Sequence, residues 1–217
     1  MKIQSFGCSF LAGSDLESPE HTWPAVIARE LGISHENRSH GATGNFRICN
    51  GVLRHCRSGQ SSIVLINWTY IDRFDYADSE SDNLSWKCLL PSDRSCVAES
   101  YYKYLNSHFV DKWKSLSYVK LAIDHLNDNG IPFVMTYMDH LLTETQYHTN
   151  PAIESFQKQV LGSLKLFDGK NFLEWSQEKK FKISRPGNHP LEAAHAAAAE
   201  FWLSTVSDLI NRINSRS

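Results

Sequence analysis

The sequence predicts an α/β fold, a doubly wound and mostly parallel sheet with helices on both faces. Two short runs, SIVLINW at residues 62–68 and IPFVMTYM at 131–138, are continuously apolar and rich in β-branched side chains. Such runs are typical of strands that are covered on both faces. They alternate along the chain with segments of helical period, which indicates a parallel sheet. No repeat or linker divides the 217 residues, so we expect one domain spanning 1–217.

The N-terminal half is predicted to alternate extended and helical segments. Residues 3–6 form a short strand, and residues 21–31 form a helix whose apolar side chains recur every three or four positions. An extended stretch then leads to a turn at 41–45, which contains two glycines. A second amphipathic helix continues to Cys56 and precedes the strand at 62–68.

An irregular, polar excursion follows at about 72–96, and it is long for a simple connection. We expect either a surface excursion or a lid over the site. Aromatic side chains here and in the loop after the strand at 131–138 suit stacking on sugar rings, although they equally suit local packing. They are Phe74, Tyr76, Trp86 and Tyr147.

The C-terminal half is predicted to be mainly helical around the strand at 131–138. A long helix is expected from 97 to 129, with a break near 115–117. Helical potential returns at 151–167, a short extended piece is expected at 172–175, and the last helix runs from about 190 to 212.

Composition excludes several classes of protein. The 22 basic and 24 acidic residues give a net charge of −2. The chain therefore lacks the surplus of basic residues that would indicate a nucleic-acid partner. No apolar run approaches the roughly 18 residues that a membrane span needs, and no secretory leader is seen. Five cysteines without CxxC spacing predict neither a disulfide framework nor a zinc site. We therefore expect a cytoplasmic protein without metal or cofactor.

Two residues are candidates for nucleophilic chemistry. Ser9 follows the first strand, and Gly7 before it permits a sharp turn that presents the hydroxyl at the end of that strand. His189 stands directly before Pro190, which suits the first turn of the last helix and would hold the imidazole rigidly. Taken singly, each residue is also explained as an ordinary turn serine or surface histidine. His195 is six positions further on and is expected to pack or to cap, since it is poorly placed to share a metal with His189.

Two further strand ends carry groups that suit a developing oxyanion. Gly41 and Gly44 bracket the turn before the second helix, where a backbone amide can donate. Asn67 and Thr69 close the strongest strand and carry polar side chains. Each of these residues also fits an ordinary loop role.

Taken together, four blocks resemble the SGNH (GDSL-like) hydrolases, in the order that the family shows. They are Phe6-Gly7-Cys8-Ser9-Phe10, Asn37 with Gly41–Asn45, Ile63–Thr69, and His189-Pro190 with His195. Cys8 stands where most members have Asp. Further similarity at Thr22-Trp23-Pro24, at Trp68-Thr69 and at Arg73 is to phage-encoded members, which makes association with a virion an alternative location.

The resemblance implies a serine esterase that acts on a small ester or an acylated carbohydrate. Ser9 would be the nucleophile and His189 the general base, with an oxyanion hole from the Ser9 amide, the Gly41 amide and the Asn67 side chain. Gly44 and Thr69 are the alternatives to Gly41 and Asn67.

The family's acid is missing from its usual place, because Pro186 stands three residues before His189. We expect a backbone carbonyl in 184–187 to hold the imidazole, giving a Ser–His dyad, with Asp139 as the alternative acid. A second hypothesis follows from the same gap. It is a catalytically weak carbohydrate- or protein-binding module on this fold, such as a phage component.

Overall fold

A computed structural model of the chain describes residues 1–60, 62–78, 85–146 and 150–215. Its strands are β1 (Lys2–Gly7), β2 (Ser34–Asn37), β3 (Ser62–Trp68), β4 (Phe74–Asp78), β5 (Ser85–Leu89), β6 (Phe133–Tyr137) and β7 (Leu164–Lys165). Five of them form one sheet in the order β2–β1–β3–β6–β7, and all pairings in it are parallel. The predicted doubly wound α/β fold is confirmed.

Helices cover both faces of this sheet. They are α1 (Ser9–Ala12), α2 (Trp23–Glu30), α3 (Asn45–His55), α4 (Cys96–Tyr104), α5 (His108–Asp128), α6 (Pro151–Leu161), α7 (Phe172–Glu178) and α8 (Glu192–Asn214). Helices α3, α5 and α6 contribute to one apolar core, whereas α2, α7 and α8 contribute to the other. Successive residues of β3 point to opposite faces, so Val64 and Ile66 enter the first core and Ile63 and Leu65 the second.

The excursion predicted at 72–96 contains regular structure, although residues 79–84 lie outside the described part. Strands β4 and β5 pair antiparallel as a hairpin. Asp75 fastens this hairpin to the start of α3, because its carboxylate accepts from the Gly44 amide at 2.6 Å and from the Arg47 amide at 2.8 Å. A carboxylate at the first turn of a helix also complements the helix dipole.

Three predictions about the C-terminal half are corrected or refined. The long helix breaks at 105–107 instead of 115–117, because the Ser107 side chain caps a new helix by accepting from the Val110 amide. Residues 172–175 are helical, since Asn171 and Glu174 form a capping box at the start of α7. The last helix begins at Glu192, two residues later than predicted. Tyr147 lies outside the described residues.

Two of the cysteines, Cys49 and Cys56, are buried in the core on the α3 side of the sheet. Within the described ranges, no helix combines the length and the apolar character needed to cross a bilayer.

Candidate active site

Ser9 lies at the carboxyl end of β1, as the first residue of α1. The chain reaches it through Gly7, where a side chain would be tightly packed. A Cβ at Gly7 would stand 3.1 Å from the Leu11 Cβ and 3.2 Å from the Asn67 carbonyl oxygen. The close packing of β1, α1 and β3 therefore places the serine at the end of the sheet, with 9% of its surface exposed.

His189 contacts Ser9 directly. Its Nε2 lies 2.8 Å from the Ser9 Oγ, and its ring packs edge-on against Phe10 with centroids 5.0 Å apart. The loop that carries His189 is closed at its base, because the Ser184 amide donates to the His189 carbonyl at 2.8 Å. Sequence reasoning proposed this pair, and the structure brings the two residues together from positions 180 apart.

The group on the other nitrogen of His189 is Asp15. Its Oδ2 lies 2.7 Å from Nδ1. A carboxylate only accepts hydrogen bonds, so Nδ1 carries the proton and Nε2 accepts from the Ser9 hydroxyl. The hydrogen bond from His189 is the main reason that the pKa of Asp15 lies below its usual value, followed by a hydrogen bond from Ser184.

Asp15 was not among the residues predicted to support His189, and both predicted alternatives for this position are wrong. Nδ1 is held by a carboxylate, so the expected backbone carbonyl in 184–187 does not take this role. Asp139 is engaged elsewhere: its oxygens accept from the Ile71 and Leu141 amides, each at 3.0 Å. Asp15 did carry a signal, because it follows Ser9 by six residues in the short segment between β1 and α2, at the carboxyl end of β1.

Two neighbours hold the acid and the imidazole together. The Ser184 hydroxyl donates to Asp15 Oδ2 at 2.7 Å and accepts from the His189 amide at 2.9 Å. Gly187 leaves the space in which they meet, since a Cβ there would overlap Asp15 Oδ2 and stand 2.6 Å from His189 Nδ1. Asp15 itself adopts φ +68°, a left-handed conformation that Asp tolerates better than most residues.

The two candidate glycines are in different situations. The Gly44 amide donates to Asp75, which occupies it in this structure. Gly41 is exposed in the loop after β2, which runs beside β1 because the His40 amide donates to the Gly7 carbonyl at 3.1 Å. A Cβ at Gly41 would lie 3.7 Å from the Ser14 Oγ, so this glycine borders the loop after α1 that carries Asp15.

Asn67 and Thr69 are both fully buried. Within the described part of the chain, neither the Asn67 amide group nor the Thr69 hydroxyl has a hydrogen-bond partner. The backbone of Thr69 is held by Asn45, whose Oδ1 accepts from the Thr69 amide at 2.8 Å. A part for Asn67 or Thr69 in an oxyanion hole stays a prediction.

His195 has the capping role expected of it. Its Nδ1 accepts from the Trp23 amide at 3.1 Å, and burial lowers the pKa of its ring to about 3. Among the described residues, no group of three or more His, Cys, Asp or Glu side chains is arranged to hold a metal ion.

Neither a family model nor a curated protein matches the sequence, but solved structures match the fold. A lipolytic protein of the G-D-S-L family from Veillonella parvula superimposes with a TM-score of 0.50 at 10% identity, over 94% of this chain and 97% of that one. The esterase EstA from Pseudoalteromonas sp. gives 0.53 at 10% identity, over 97% and 98% of the two chains. The chain has the fold of the G-D-S-L (SGNH) esterases.

A third matching protein is, by its name, an esterase that acts on an acylated polysaccharide. The acetyl xylan esterase Est2A from Butyrivibrio proteoclasticus superimposes with a TM-score of 0.52 at 9% identity, over 97% of this chain and 64% of that one. At such identities the likeness establishes the architecture. The similarity to phage-encoded members stays a prediction.

Proposed function

We propose that the chain hydrolyses carboxylic esters, with Ser9 as nucleophile, His189 as general base and Asp15 as the supporting acid. The observation that carries this proposal is the continuous hydrogen-bonded series from Ser9 Oγ through both imidazole nitrogens to Asp15 Oδ2, at 2.8 and 2.7 Å. A serine is a weak nucleophile until an adjacent base accepts its proton, and that base needs its tautomer held.

The order of events follows from these contacts. The Ser9 oxygen attacks the acyl carbon while its proton passes to His189 Nε2, and the carboxylate of Asp15 stabilises the resulting imidazolium. Collapse of the tetrahedral intermediate returns that proton to the leaving alcohol and leaves an acyl group on Ser9. Water then repeats the sequence, with His189 as its base, and releases the acid.

The negative oxygen of the intermediate needs hydrogen-bond donors. We assign this role to the backbone amides of Ser9 and Gly41. Gly41 is favoured over Gly44 because the Gly44 amide already donates to Asp75. Asn67 remains a candidate third donor, although its side chain is enclosed in this structure.

We propose a small ester or an acylated glycan as the substrate. A cavity of about 500 Å³ borders Gly41 and is lined in part by the aromatic residues Tyr76 and Trp86. Aromatic faces are suited to stacking against sugar rings. The carbohydrate esterase among the matching structures is consistent with this choice.

A fluorophosphonate probe tests the nucleophile. We expect a mass increase on the peptide that contains Ser9, abolished by Ser9→Ala and retained in Ser58→Ala, which changes an exposed serine after α3. The main argument for a non-catalytic binding module was the missing acid. The contact between Asp15 and His189 removes that argument. Folded wild-type protein that resists the probe and fails to cleave p-nitrophenyl acetate would restore that alternative.

A further inference from the structure

A groove of cationic side chains runs between α3 and the edge strand β2. It has a volume of about 230 Å³, and none of the residues that line it is acidic. Its charged, imidazole and aromatic members are Arg38, His40, Arg47, Arg54, His55 and Trp86.

Helical spacing places part of this set along one line. Arg47, Asn50 and Arg54 are three or four residues apart, so they share a face of α3. The opposite face, which includes Ile48 and Val52, is buried in the core. Arg47 and Arg54 are separated by seven residues, or about 10 Å along the helix axis. That span matches about two sugar units of an extended polysaccharide.

The charge around the groove is unlike that of the whole chain, which carries 22 basic and 24 acidic residues. On β1, β2 and α3 and directly after β2 and α3, the cations are Lys2, Arg38, Arg47, Arg54 and Arg57, and the carboxylates there and against the start of α3 are Glu36 and Asp75. Both carboxylates are engaged: Glu36 pairs with Lys2 and Arg38, and Asp75 accepts from the amides of Gly44 and Arg47. The groove is therefore locally positive on an otherwise slightly acidic protein.

The same positive charge acts on an imidazole within the groove. Burial lowers the pKa of His55 first, and the charges of Arg38 and Arg54 lower it further. A negative ligand bound beside His55 would offset the positive charge that Arg38 and Arg54 place on this imidazole.

The groove adjoins the cavity that borders Gly41, the proposed oxyanion donor, and that cavity is also lined by Lys87, Asp93 and Arg94. The cavity that borders Gly41 shares two residues, Arg47 and Trp86, with the groove. A polymer whose ester reaches Ser9 past Gly41 would thus place its next units between Arg47 and Arg54.

We propose that this groove binds the sugar units adjacent to the ester, and that the substrate is an acylated acidic polysaccharide whose sugars carry carboxylates. The inference rests on the proposed esterase function and names the substrate class of that site. Guanidinium groups bind carboxylates through paired N–H donors, and Trp86 offers a face for a sugar ring. A nucleic acid is less favoured because the positive strip is short and the chain as a whole carries net charge −2.

Affinity electrophoresis of the Ser9→Ala protein tests the groove without turnover. Gels contain polygalacturonate, neutral xylan, single-stranded DNA or no polymer. We expect retardation by polygalacturonate above that by xylan or DNA, and a loss of retardation as NaCl rises. The added pair Arg47→Gln and Arg54→Gln should weaken the affinity for polygalacturonate by about five- to twentyfold, since each exposed charge contact contributes up to about a factor of five.

A control with the same change in charge is Arg29→Gln with Arg212→Gln, two exposed arginines on α2 and α8. We expect it to leave the retardation by polygalacturonate unchanged. Equal loss in both double variants, or equal retardation by xylan, would overturn the proposed groove. Stronger retardation by DNA would overturn the choice of a polysaccharide.

The salt series on the Ser9→Ala protein keeps the inference testable if the groove variant does not fold, because salt-independent retardation also contradicts it. Fluorophosphonate labelling of wild-type protein separates the two proposals. Labelling without selective retention of polygalacturonate rejects only the groove. Selective retention without labelling rejects the esterase and retains an acidic-glycan binding site.

Discussion

Asp15→Asn is the sharpest test of the catalytic arrangement, because it removes one charge and keeps the size of the side chain. Asp15 faces His189 Nδ1 at 2.7 Å, so charge centres about 4 Å apart meet when the imidazolium forms. Such a pair contributes about 1 kcal/mol in water and about 4 kcal/mol at an effective dielectric constant near 20. The side chains of His189 and Asp15 are 15% and 41% exposed, so we expect the energy of this ion pair to lie between these two values.

We therefore expect kcat for p-nitrophenyl acetate to fall between about fivefold and a thousandfold. The upper value is below the roughly 10⁴-fold loss that a buried triad carboxylate gives in a serine protease, because water partly screens Asp15. The assay compares kcat at neutral pH with the melting temperature of each variant. An unchanged kcat in folded Asp15→Asn protein would refute the role of Asp15 and would mean that another group supports His189.

Three further predictions concern Gly187, Asp139 and His195. Gly187→Ala should lower kcat by more than tenfold, because the new Cβ would overlap Asp15 Oδ2. The control Gly162→Ala, whose Cβ would meet no atom within 4 Å, should retain the wild-type kcat. Equal kcat values for the two variants would contradict this packing. Asp139→Asn should lower stability by about 1–2 kcal/mol in urea denaturation and leave kcat unchanged, because its oxygens bind two backbone amides outside the site; a large loss of kcat would show otherwise. His195 has its pKa lowered to about 3, so the unfolded chain binds a proton that the folded chain does not as pH falls from about 6.5 towards 3, and stability falls over that window. His195→Gln should reduce the loss of unfolding free energy between pH 7 and pH 5 by about 2 kcal/mol, and an unchanged pH dependence would mean that His195 is protonated in the fold.

Local patterns in the sequence were enough to predict much of the fold. The apolar runs at 62–68 and 131–138 could be recognised as buried strands, because a strand covered on both faces needs no polar alternation. The break at 105–107 and the helix at 172–178 were harder to place. Each depends on capping side chains, Ser107 for the first and Asn171 with Glu174 for the second, whose effect is decided by whether their oxygens meet a free amide.

By itself, the sequence determined the fold class and the candidate pair Ser9 and His189, because the alternation of strands and helices along the chain, the strand ends and the turn residues are read from local pattern. Only the tertiary structure decided which acid faces the imidazole. Asp15 and His189 are 174 residues apart, and their contact depends on a left-handed turn at Asp15 and on the missing side chain of Gly187. The basic groove was likewise hidden, since its charges come from separate elements and the chain's net charge averages them away. A sequence counts charges along one line, whereas the folded chain adds their fields in space.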